Sequence, residues 1–562
     1  KLCLVDEIHT INQDRGAVLE AVITRMKKLN TKTRVVAVSA TVPNICDIKE
    51  WLTTKFRKAK LLTFDSTYRP IQLKKIVEGL PIDLKNSFQQ EKVFMNKVPD
   101  LIKKYSNGNS TLVFCATRNS TQQTAQLIAQ GFNTKCDSNN VDYIEDDVLK
   151  RLAYKGVAYH HAGISLNDRK IIENLFRDNK IVVLCSTSTL AVGVNINCYL
   201  VIIKGTTHWS AEGEREYEEL DIQQMIGRAG RPGAYDKGVA VILTTKNKES
   251  TYKSMTTCDI PIESTIHFQF LEHICSEIEI GSIEDAETCS KWILSTYYYI
   301  RSKKNPNYYN LDDNISINSD NVDDMSKKVL NMLLSSELIE INGKTGKYLC
   351  TEYGKTMCKN YLTYKSINIL KETANNYSLP TLLEIISKSI AVNKIKHIKN
   401  TEKIFLRTLN SLPKMKFSIL DKKGSNKKVP INEYWQKLYI LIQFQMEDIN
   451  IFEQENFMQI KSTILQELSD IWKNATRVIS ALCDIMISQK DGKGLFECLF
   501  LKRSFNSKAW DDGLKTILQV ESLGTQSIKN LKNKGVKNLA ELQALPPNKL
   551  EYYLGLKPGN GY

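Results

Sequence analysis

The stretch LCLVDEIHT (residues 2–10) decides how the rest of the sequence is interpreted. Four mostly apolar residues run directly into Asp6 and Glu7, which is typical of a buried strand that ends in carboxylates. At such a strand end, one carboxylate can hold Mg²⁺ on the phosphates of a nucleotide. The other can orient and deprotonate an attacking water. An acidic pair alone is common, so the assignment depends on the rest of the chain.

Polar residues nearby strengthen this interpretation. His9 follows the acidic pair, and a second short strand pattern, VVAVSAT (35–41), ends in hydroxyl side chains. Ser39 and Thr41 are placed to hydrogen-bond the acidic loop. We expect them to couple that loop to movement elsewhere in the protein.

The composition of the 562-residue chain favours a multidomain protein that binds a polyanion. No stretch approaches the roughly 20 apolar residues of a transmembrane helix. The net charge is +15, and a basic surface makes nucleic acid the first partner to consider. The 13 cysteines are scattered without a CxxC pair, which indicates reduced thiols in an intracellular protein.

The periodicity of the sequence changes along the chain. Residues 1 to about 260 alternate short β-branched runs with amphipathic helical patterns, which predicts parallel α/β sheets. The next hundred residues are mostly helical and end in LIEINGKTGKYLC (338–350), which we interpret as a β-hairpin. Its GKT lacks the strand–loop–helix context of a phosphate-binding loop. Beyond residue 360 the helical period dominates.

A second motif, QQMIGRAGRPG (223–233), carries Gln224, Arg228 and Arg231. Their spacing predicts that all three side chains lie near one helix face. Two guanidinium groups there can stabilise the charge that develops on a γ-phosphate.

A third motif, STSTLAVGVN (186–195), follows an apolar strand pattern. The strand gives way to the hydroxyls of Thr187, Ser188 and Thr189 and then to Gly193. Such a turn can present hydroxyls and backbone amides to the phosphates of a nucleic acid.

Together these motifs resemble a known family. DEIH, SAT, LVFCATRNS, YHHAGISLNDR, TSTLAVGVN and QQMIGRAGR occur in the order seen in superfamily 2 DExH helicases. YHHAG and the helical tail resemble the Ski2-like group. RGAVLEAVITRMKKL, TRVVAVSATVPNICDIKEWL and SKWILSTYYYIRSKKNPNYY look like the meiotic crossover-promoting DNA helicase family. The resemblance covers most of the chain.

The resemblance implies α/β RecA-like domains, the first one partial, followed by winged-helix and all-α helical domains. The expected domains are the C-terminal part of the first RecA-like domain (1–65), the second RecA-like domain (66–260), the winged-helix domain (261–360), a helical Sec-type ratchet domain (361–515) and a helix-hairpin-helix-like segment (516–562). The phosphate-binding loop of the family does not occur in the sequence. We therefore expect the chain to begin inside the first RecA-like domain and to hydrolyse little ATP by itself.

The resemblance also implies an activity and its residues. The family uses ATP and Mg²⁺ to move 3′–5′ on single-stranded DNA and to unwind duplexes or branched recombination intermediates in meiotic crossover formation. The catalytic residues would be Asp6, Glu7, His9, Gln224, Arg228 and Arg231. The nucleotide would be bound by Asp6, Gly193, Gln224, Arg228 and Arg231, and Mg²⁺ by Asp6 and Glu7.

Several residues are expected to contact DNA. The backbone would be held by Thr117, Arg118, Thr187, Ser188 and Thr189. In relatives a β-hairpin in the region of residues 204–221 splits the duplex, and Trp209 would be a stacking wedge. The six carboxylates of residues 212–221 equally fit an acidic surface loop.

The helical pattern of residues 465–488 has one apolar face. It resembles the ratchet helix of relatives, and Arg477 on the opposite side would contact the translocating strand. A solvated helix face is the alternative for that side.

The implied partners are single-stranded and branched DNA, with recombination or mismatch-repair proteins as candidates. The resemblance implies a nuclear monomer that does not involve a membrane. Two other readings stay open. An RNA helicase of the same group, spliceosomal or exosome-linked, would share the core motifs because both classes read a backbone. A non-catalytic helicase-like scaffold is the third reading.

Overall fold

The structure is a computed structural model that divides into two compact units, Lys1–Ser264 and Thr265–Tyr562. It describes residues 2–13, 15–29, 33–40, 42–54, 57–64, 68, 71–81, 87–131, 139–191, 196–210, 213–230, 235–257, 261–309, 322–371, 378–392, 398, 400–420, 429–447, 449, 451, 457, 460–510, 517, 523–536 and 538–561.

The first unit begins with a two-stranded parallel sheet that ends at the acidic pair. Its elements are β1 (Leu2–Val5), α1 (Gly16–Leu29), β2 (Arg34–Ala37) and α2 (Ile45–Leu52). Two parallel strands need a crossover connection, which α1 supplies. The side chain of Asn44 hydrogen-bonds both backbone groups of Ile262, at 3.0 Å to its carbonyl oxygen and 2.9 Å from its amide nitrogen.

A six-stranded parallel sheet forms the core of the first unit. The remaining elements of the unit are β3 (Gln72–Leu80), α3 (Ser87–Tyr105), β4 (Thr111–Cys115), α4 (Arg118–Gly131), α5 (Asp147–Tyr154), β5 (Val157–His160), α6 (Leu166–Arg177), β6 (Val183–Ser186), β7 (Leu200–Lys204), β8 (Thr207–Ser210), β9 (Gly213–Glu216), α7 (Glu219–Ile226), β10 (Lys237–Thr245) and α8 (Glu249–Thr257). The strand order is β3-β10-β7-β4-β6-β5, and every neighbouring pair is parallel. The apolar runs predicted as strands in this part of the chain are confirmed.

The central strands are buried on both faces. All residues of β4, β5, β6 and β7 are buried, as expected of a parallel sheet covered by helices on each side. Their carboxyl ends meet at one edge of the sheet, because parallel neighbours end at the same side. This edge carries the segments that follow Cys115, His160, Ser186 and Lys204.

The second unit is helical apart from one hairpin. Its elements are α9 (Phe270–Glu279), α10 (Ala286–Leu294), α11 (Tyr297–Lys304), α12 (Pro306–Tyr309), α13 (Val322–Ser335), β11 (Ile339–Ile341), β12 (Tyr348–Cys350), α14 (Glu352–Lys359), α15 (Tyr364–Lys371), α16 (Leu379–Ala391), α17 (Asn400–Asn410), α18 (Tyr434–Met446), α19 (Lys461–Ser488), α20 (Gly492–Ser507), α21 (Thr525–Asn533), α22 (Leu539–Gln543) and α23 (Pro547–Leu554).

The hairpin of β11 and β12 confirms the interpretation of LIEINGKTGKYLC. The two strands are antiparallel, with Ile339 opposite Cys350. The GKT lies in the turn, where the Asn342 side chain accepts hydrogen bonds from the Lys344 and Thr345 amides at 2.9 and 3.3 Å. A phosphate-binding loop would instead lead into a helix.

The 28-residue helix α19 buries the apolar face that the sequence predicts. Every residue predicted for this face is buried, namely Leu468, Ile471, Trp472, Ala475, Val478, Ile479, Leu482, Ile485 and Met486. A buried ion-pair network joins α19 to α17 and α18. The Lys437 ammonium lies 3.0 Å from Glu402 Oε2 and 2.7 Å from Glu467 Oε2, and the Tyr434 hydroxyl donates to Glu467 at 2.8 Å.

Two general features concern the part of the chain that the structure describes. None of its helices combines the length and the apolar character needed to span a bilayer. Its eleven cysteines are free thiols.

A glycine in α14 of the second unit provides a stability test. A methyl group on Gly354, in α14, would lie 2.1 Å from the Leu338 carbonyl oxygen, whereas one on Gly343 would meet nothing within 4 Å. We expect Gly354→Ala to destabilise the fold by about 1–3 kcal/mol through overpacking, although Ala is the better helix former. Gly343→Ala should change stability by less than about 0.5 kcal/mol. Urea unfolding midpoints check this, and equal midpoints for the two variants would contradict the packing described here.

Candidate functional site

The acidic pair lies in a tight turn directly after β1. Glu7 has a left-handed backbone (φ 52°, ψ 46°) and precedes a 3₁₀ turn at Ile8–Asn12. This conformation costs a non-glycine residue on the order of 1–3 kcal/mol and is enriched at functional sites. The Glu7 amide donates to Asp6 Oδ1 at 3.0 Å, and both side chains are exposed. The turn therefore presents two carboxylates to solvent at a strand end.

His9 connects this turn to the segment that follows β2. Its Nδ1 accepts a hydrogen bond from the Ala40 amide at 3.0 Å and lies 3.4 Å from the Ser39 hydroxyl. Because Nδ1 accepts from a backbone N–H, the neutral ring carries its proton on Nε2, which lies 3.1 Å from Glu7 Oε2. Burial lowers the pKa of His9, and the charges of Glu7 and Asp6 oppose that shift only partly. His9 is thus a neutral link between the acidic turn and Ser39, while Thr41 lies outside the described residues.

The acidic turn fits a Mg²⁺ ion that is also held by nucleotide phosphates. Mg²⁺ in such sites takes one or two carboxylates and completes its shell with phosphate oxygens and waters. Asp6 and Glu7 supply those carboxylates. Among the described residues, no group of three or more His, Cys, Asp or Glu side chains could hold a metal ion alone. Asp6 and Glu7 would therefore hold Mg²⁺ only together with phosphate oxygens and waters.

The prediction that Gln224, Arg228 and Arg231 lie near one helix face is wrong. Helix α7 ends at Ile226, so Gln224 is on the helix and Arg228 is in the turn beyond it. The helix ends because the backbone of Ala229 forms an isolated parallel β-bridge with Cys198. The Cys198 amide donates to the Arg228 carbonyl at 3.0 Å, and the Gly230 amide donates to the Cys198 carbonyl at 2.7 Å. Arg231 lies outside the described residues. Burial lowers the pKa of the half-buried Arg228, which remains a cation because the guanidinium pKa is so high.

Arg118 occupies an exposed position at the carboxyl edge of the large sheet. Thr117 follows β4, and its Oγ1 accepts the Ser120 amide at 3.1 Å, which fixes the first turn of α4. A methyl on Gly163 would contact the Arg118 side chain at 3.5 Å and the His161 ring at 3.1 Å. The absence of a side chain at Gly163 therefore leaves room for the Arg118 and His161 side chains to pack against this turn.

His161 is a functional candidate that the sequence analysis did not assign. Its Nδ1 accepts the Gly163 amide at 3.1 Å, and its Nε2 lies 3.2 Å from the Gln122 side-chain amide. Burial and the nearby Arg118 charge lower the pKa of His161, so the ring is neutral at pH 7. The adjacent histidines and glycine of YHHAG were the available signal.

The predicted hydroxyl cluster lies on the neighbouring strand end. Thr187 follows β6, and its amide donates to the His160 carbonyl at 3.4 Å. Ser188 begins a 3₁₀ turn and is half-buried. The side chain of Thr189 and the whole of Gly193 lie outside the described residues. Thr117, Arg118, Thr187 and Ser188 thus share one edge of the sheet.

The predicted hairpin is present as β8 and β9. The strands are antiparallel, and the Trp209 backbone pairs with Glu214 next to the end of the hairpin. The Trp209 side chain lies outside the described residues. In the second unit, Arg477 is exposed on the face of α19 opposite its apolar stripe and hydrogen-bonds Asn474. Its contact with a nucleic acid stays a prediction.

Three protein families match the chain. The helicase conserved C-terminal domain matches residues 94–233, the winged helix-turn-helix domain 263–343, and the Sec63 Brl domain 350–558. With the six-stranded sheet, these matches confirm the predicted fold class of a RecA-like domain followed by winged-helix and helical domains.

Relatives match over the whole chain. It is 35% identical to the ATP-dependent DNA helicase MER3 of Saccharomyces cerevisiae, covering 100% of this chain and 47% of the relative. It is 32% identical to the probable ATP-dependent DNA helicase HFM1 of Xenopus tropicalis, covering 100% and 43%. The U5 small nuclear ribonucleoprotein 200 kDa helicase of Drosophila melanogaster is 28% identical, with coverage of 95% and 25%.

The chain spans less than half the length of these relatives. The three domain matches and the similarity over the whole chain agree with the motif order found in the sequence. The three domain matches fit the Ski2-like group of superfamily 2 helicases, and over its whole length the chain is similar to the MER3 and HFM1 DNA helicases.

Proposed function

We propose that the full-length protein is an ATP-dependent DNA helicase that moves 3′–5′ and unwinds duplex or branched recombination intermediates in meiotic crossover formation. The observation that carries the proposal is the grouping of Thr117, Arg118, Thr187 and Ser188 at one sheet edge. Similarity to DNA helicases over the whole chain supports it. Single-stranded and branched DNA are the proposed ligands, and recombination or mismatch-repair proteins the proposed partners, of a nuclear monomer.

The acidic turn fits the proposed hydrolysis step. Glu7 would orient and deprotonate the attacking water, and Asp6 would hold Mg²⁺, which supplies charge neutralisation on the phosphates. Gln224 and Arg228 would face the phosphates from the second RecA-like domain. His9 would couple movement of the acidic turn to Ser39, because its neutral ring contacts both the acidic turn and the segment after β2.

The protein would recognise the nucleic-acid strand by contacts with its phosphate backbone. The Arg118 guanidinium and the hydroxyls of Thr187 and Ser188 are donors suited to phosphate oxygens. Such contacts position a strand without reading its bases.

An RNA helicase of the same group is the second candidate. The observation that favours it is the similarity to the Drosophila U5 small nuclear ribonucleoprotein helicase over 95% of this chain. The sheet-edge donors face a backbone that DNA and RNA share, and discrimination of the 2′-hydroxyl is a local matter. The choice between the two polymers therefore depends on a direct comparison.

The first test concerns Glu7 in the full-length protein. We expect ATP hydrolysis stimulated by single-stranded DNA more than by RNA, and a loss of about 10²–10⁴-fold in Glu7→Gln, because the general base is removed. The control Glu50→Gln changes an exposed carboxylate on α2 and should hydrolyse ATP normally. Stimulation by RNA alone would select the second candidate, and no turnover with either polymer would leave only the scaffold reading.

The second test concerns Arg118. Arg118→Ala should weaken single-stranded DNA binding roughly tenfold, as expected for one charge-assisted hydrogen bond. It should also reduce the slope of log affinity against log salt by about 0.7, because one fewer phosphate is neutralised. Fluorescence anisotropy over a salt series measures both.

Arg177→Ala is the matched control for this test. Arg177 is an exposed arginine that precedes the amino end of β6, at the opposite edge of the sheet, and its side chain donates to Asn174 at 2.9 Å. Its variant should bind like the wild type. If Arg118→Ala binds as tightly as the control, the sheet edge is not the strand-binding surface.

A further inference from the structure

A fully buried ammonium lies behind the proposed strand-binding edge. Lys204 is the last residue of β7, and its side chain is 0% exposed. Its Nζ lies 2.5 Å from Glu91 Oε1, 2.8 Å from Ser120 Oγ and 2.8 Å from Thr124 Oγ1. Three acceptors match the three donors of an ammonium group. All three N–H donors of the Lys204 ammonium are therefore used, and the charged group is held in one position.

The ammonium form is retained in this position. Burial by itself lowers the pKa of Lys204, but negative charge on the Cys115 sulfur and on the Glu91 carboxylate raises it above its ordinary value. A buried ion pair is a poor source of stability, since the cost of desolvating both charges offsets much of their attraction. The pair therefore contributes more by holding neighbouring segments in position than by stabilising the fold.

On one side the pair holds the turn that carries Arg118. Ser120 and Thr124 lie in the first two turns of α4, and both bind the Lys204 ammonium. The Ser120 amide donates to Thr117 Oγ1, and the Thr121 hydroxyl donates to the Arg118 carbonyl at 2.6 Å. Glu91, on α3, also accepts a hydrogen bond from the Ser120 hydroxyl. The placement of this turn thus depends on the buried pair.

On the other side the pair lies at the base of the hairpin. Gly205 follows Lys204 with a φ of 82°, and the Thr206 carbonyl accepts the Tyr217 amide at 2.9 Å, which closes β8 against β9. Tyr217 is buried, with its hydroxyl near the Ser188 side chain. Three proposed nucleic-acid contacts therefore converge on this site: the Arg118 turn, Ser188 and the hairpin.

We propose that Lys204 and Glu91 form a positioning pair that holds the Arg118 turn, the Ser188 turn and the β8–β9 hairpin at fixed spacing for binding a strand. Neither residue of the pair contacts the nucleic acid. The inference rests on the proposed function, because it concerns how the proposed contacts are arranged. The inference predicts that disrupting the pair weakens nucleic-acid binding even in a variant whose fold is intact.

The first experiment is a double-mutant cycle in the full-length protein, with single-stranded DNA affinity as the readout. Lys204→Met should weaken binding about tenfold, the loss expected when the Arg118 contact is misplaced. In the Arg118→Ala background the same change should cost clearly less, because the contact that it misplaces is already absent. Lys97→Met is the control, since that ammonium forms only surface contacts with Glu78 at 4.0 Å and Asp100 at 3.7 Å.

A second variant separates positioning from folding. Lys204→Met leaves the Glu91 carboxylate without its charged partner, whereas the combination of Glu91→Gln with Lys204→Met leaves no unpaired charge. We expect thermal unfolding of this neutral pair to return toward the wild-type temperature while DNA affinity stays as low as in Lys204→Met. A purely structural role would restore stability and affinity together.

The outcomes distinguish this inference from the proposed function. Independent, multiplying losses for Lys204→Met and Arg118→Ala, or full recovery of affinity in the neutral pair, would overturn the positioning role. Wild-type affinity in Lys204→Met with impaired Arg118→Ala would overturn it as well and leave the proposed function standing. Wild-type affinity in Arg118→Ala would overturn both.

Discussion

The parallel pairing of β4 with β6 and β7 is the constraint on which the first unit depends. Thr111 lies in register with Val183 on one side and with Leu200 on the other, so three chain segments leave the sheet at the same edge. Those segments carry Arg118, Ser188 and the hairpin. Because the strands are buried on both faces, a shift in register would exchange the side chains packed against the helices on each side, so the core packing fixes the position of the edge.

The two proposed sites make different use of burial. At the acidic turn, the carboxylates are exposed and the left-handed Glu7 stores strain, while the buried His9 stays neutral. At the sheet edge, the exposed cation is Arg118, and the buried group is the charged Lys204. A neutral histidine can change its contacts at little electrostatic cost, which suits a moving link. A fully paired ammonium cannot, which suits a fixed support.

The sequence predicted most of the first unit because parallel strands leave an unmistakable pattern of continuous apolar runs. The runs LCLV and VVAV formed the separate two-stranded sheet, and the runs between residues 111 and 244 became strands of the large sheet. The residues directly after β4, β5, β6 and β7 reached the carboxyl edge of that sheet. Helical spacing failed after α7, because spacing arguments assume that a helix continues, whereas the bridge between Cys198 and Ala229 ends it at Ile226. The apolar stripe of α19 was predicted fully, since a long helix with one buried face is decided by its period alone.

Lys204 was the residue that sequence reasoning had least chance of finding. A lysine at the end of an apolar strand is ordinarily expected to reach solvent, and its three partners lie 80 to 113 residues away along the chain. The Lys204 side chain is inaccessible to solvent because α3 and α4 pack over the end of β7. In the proposed function, the same packing would position Arg118 precisely although Lys204 itself does not meet the strand. The Arg118 contact would not distinguish DNA from RNA, because a phosphate contact carries no information about the sugar.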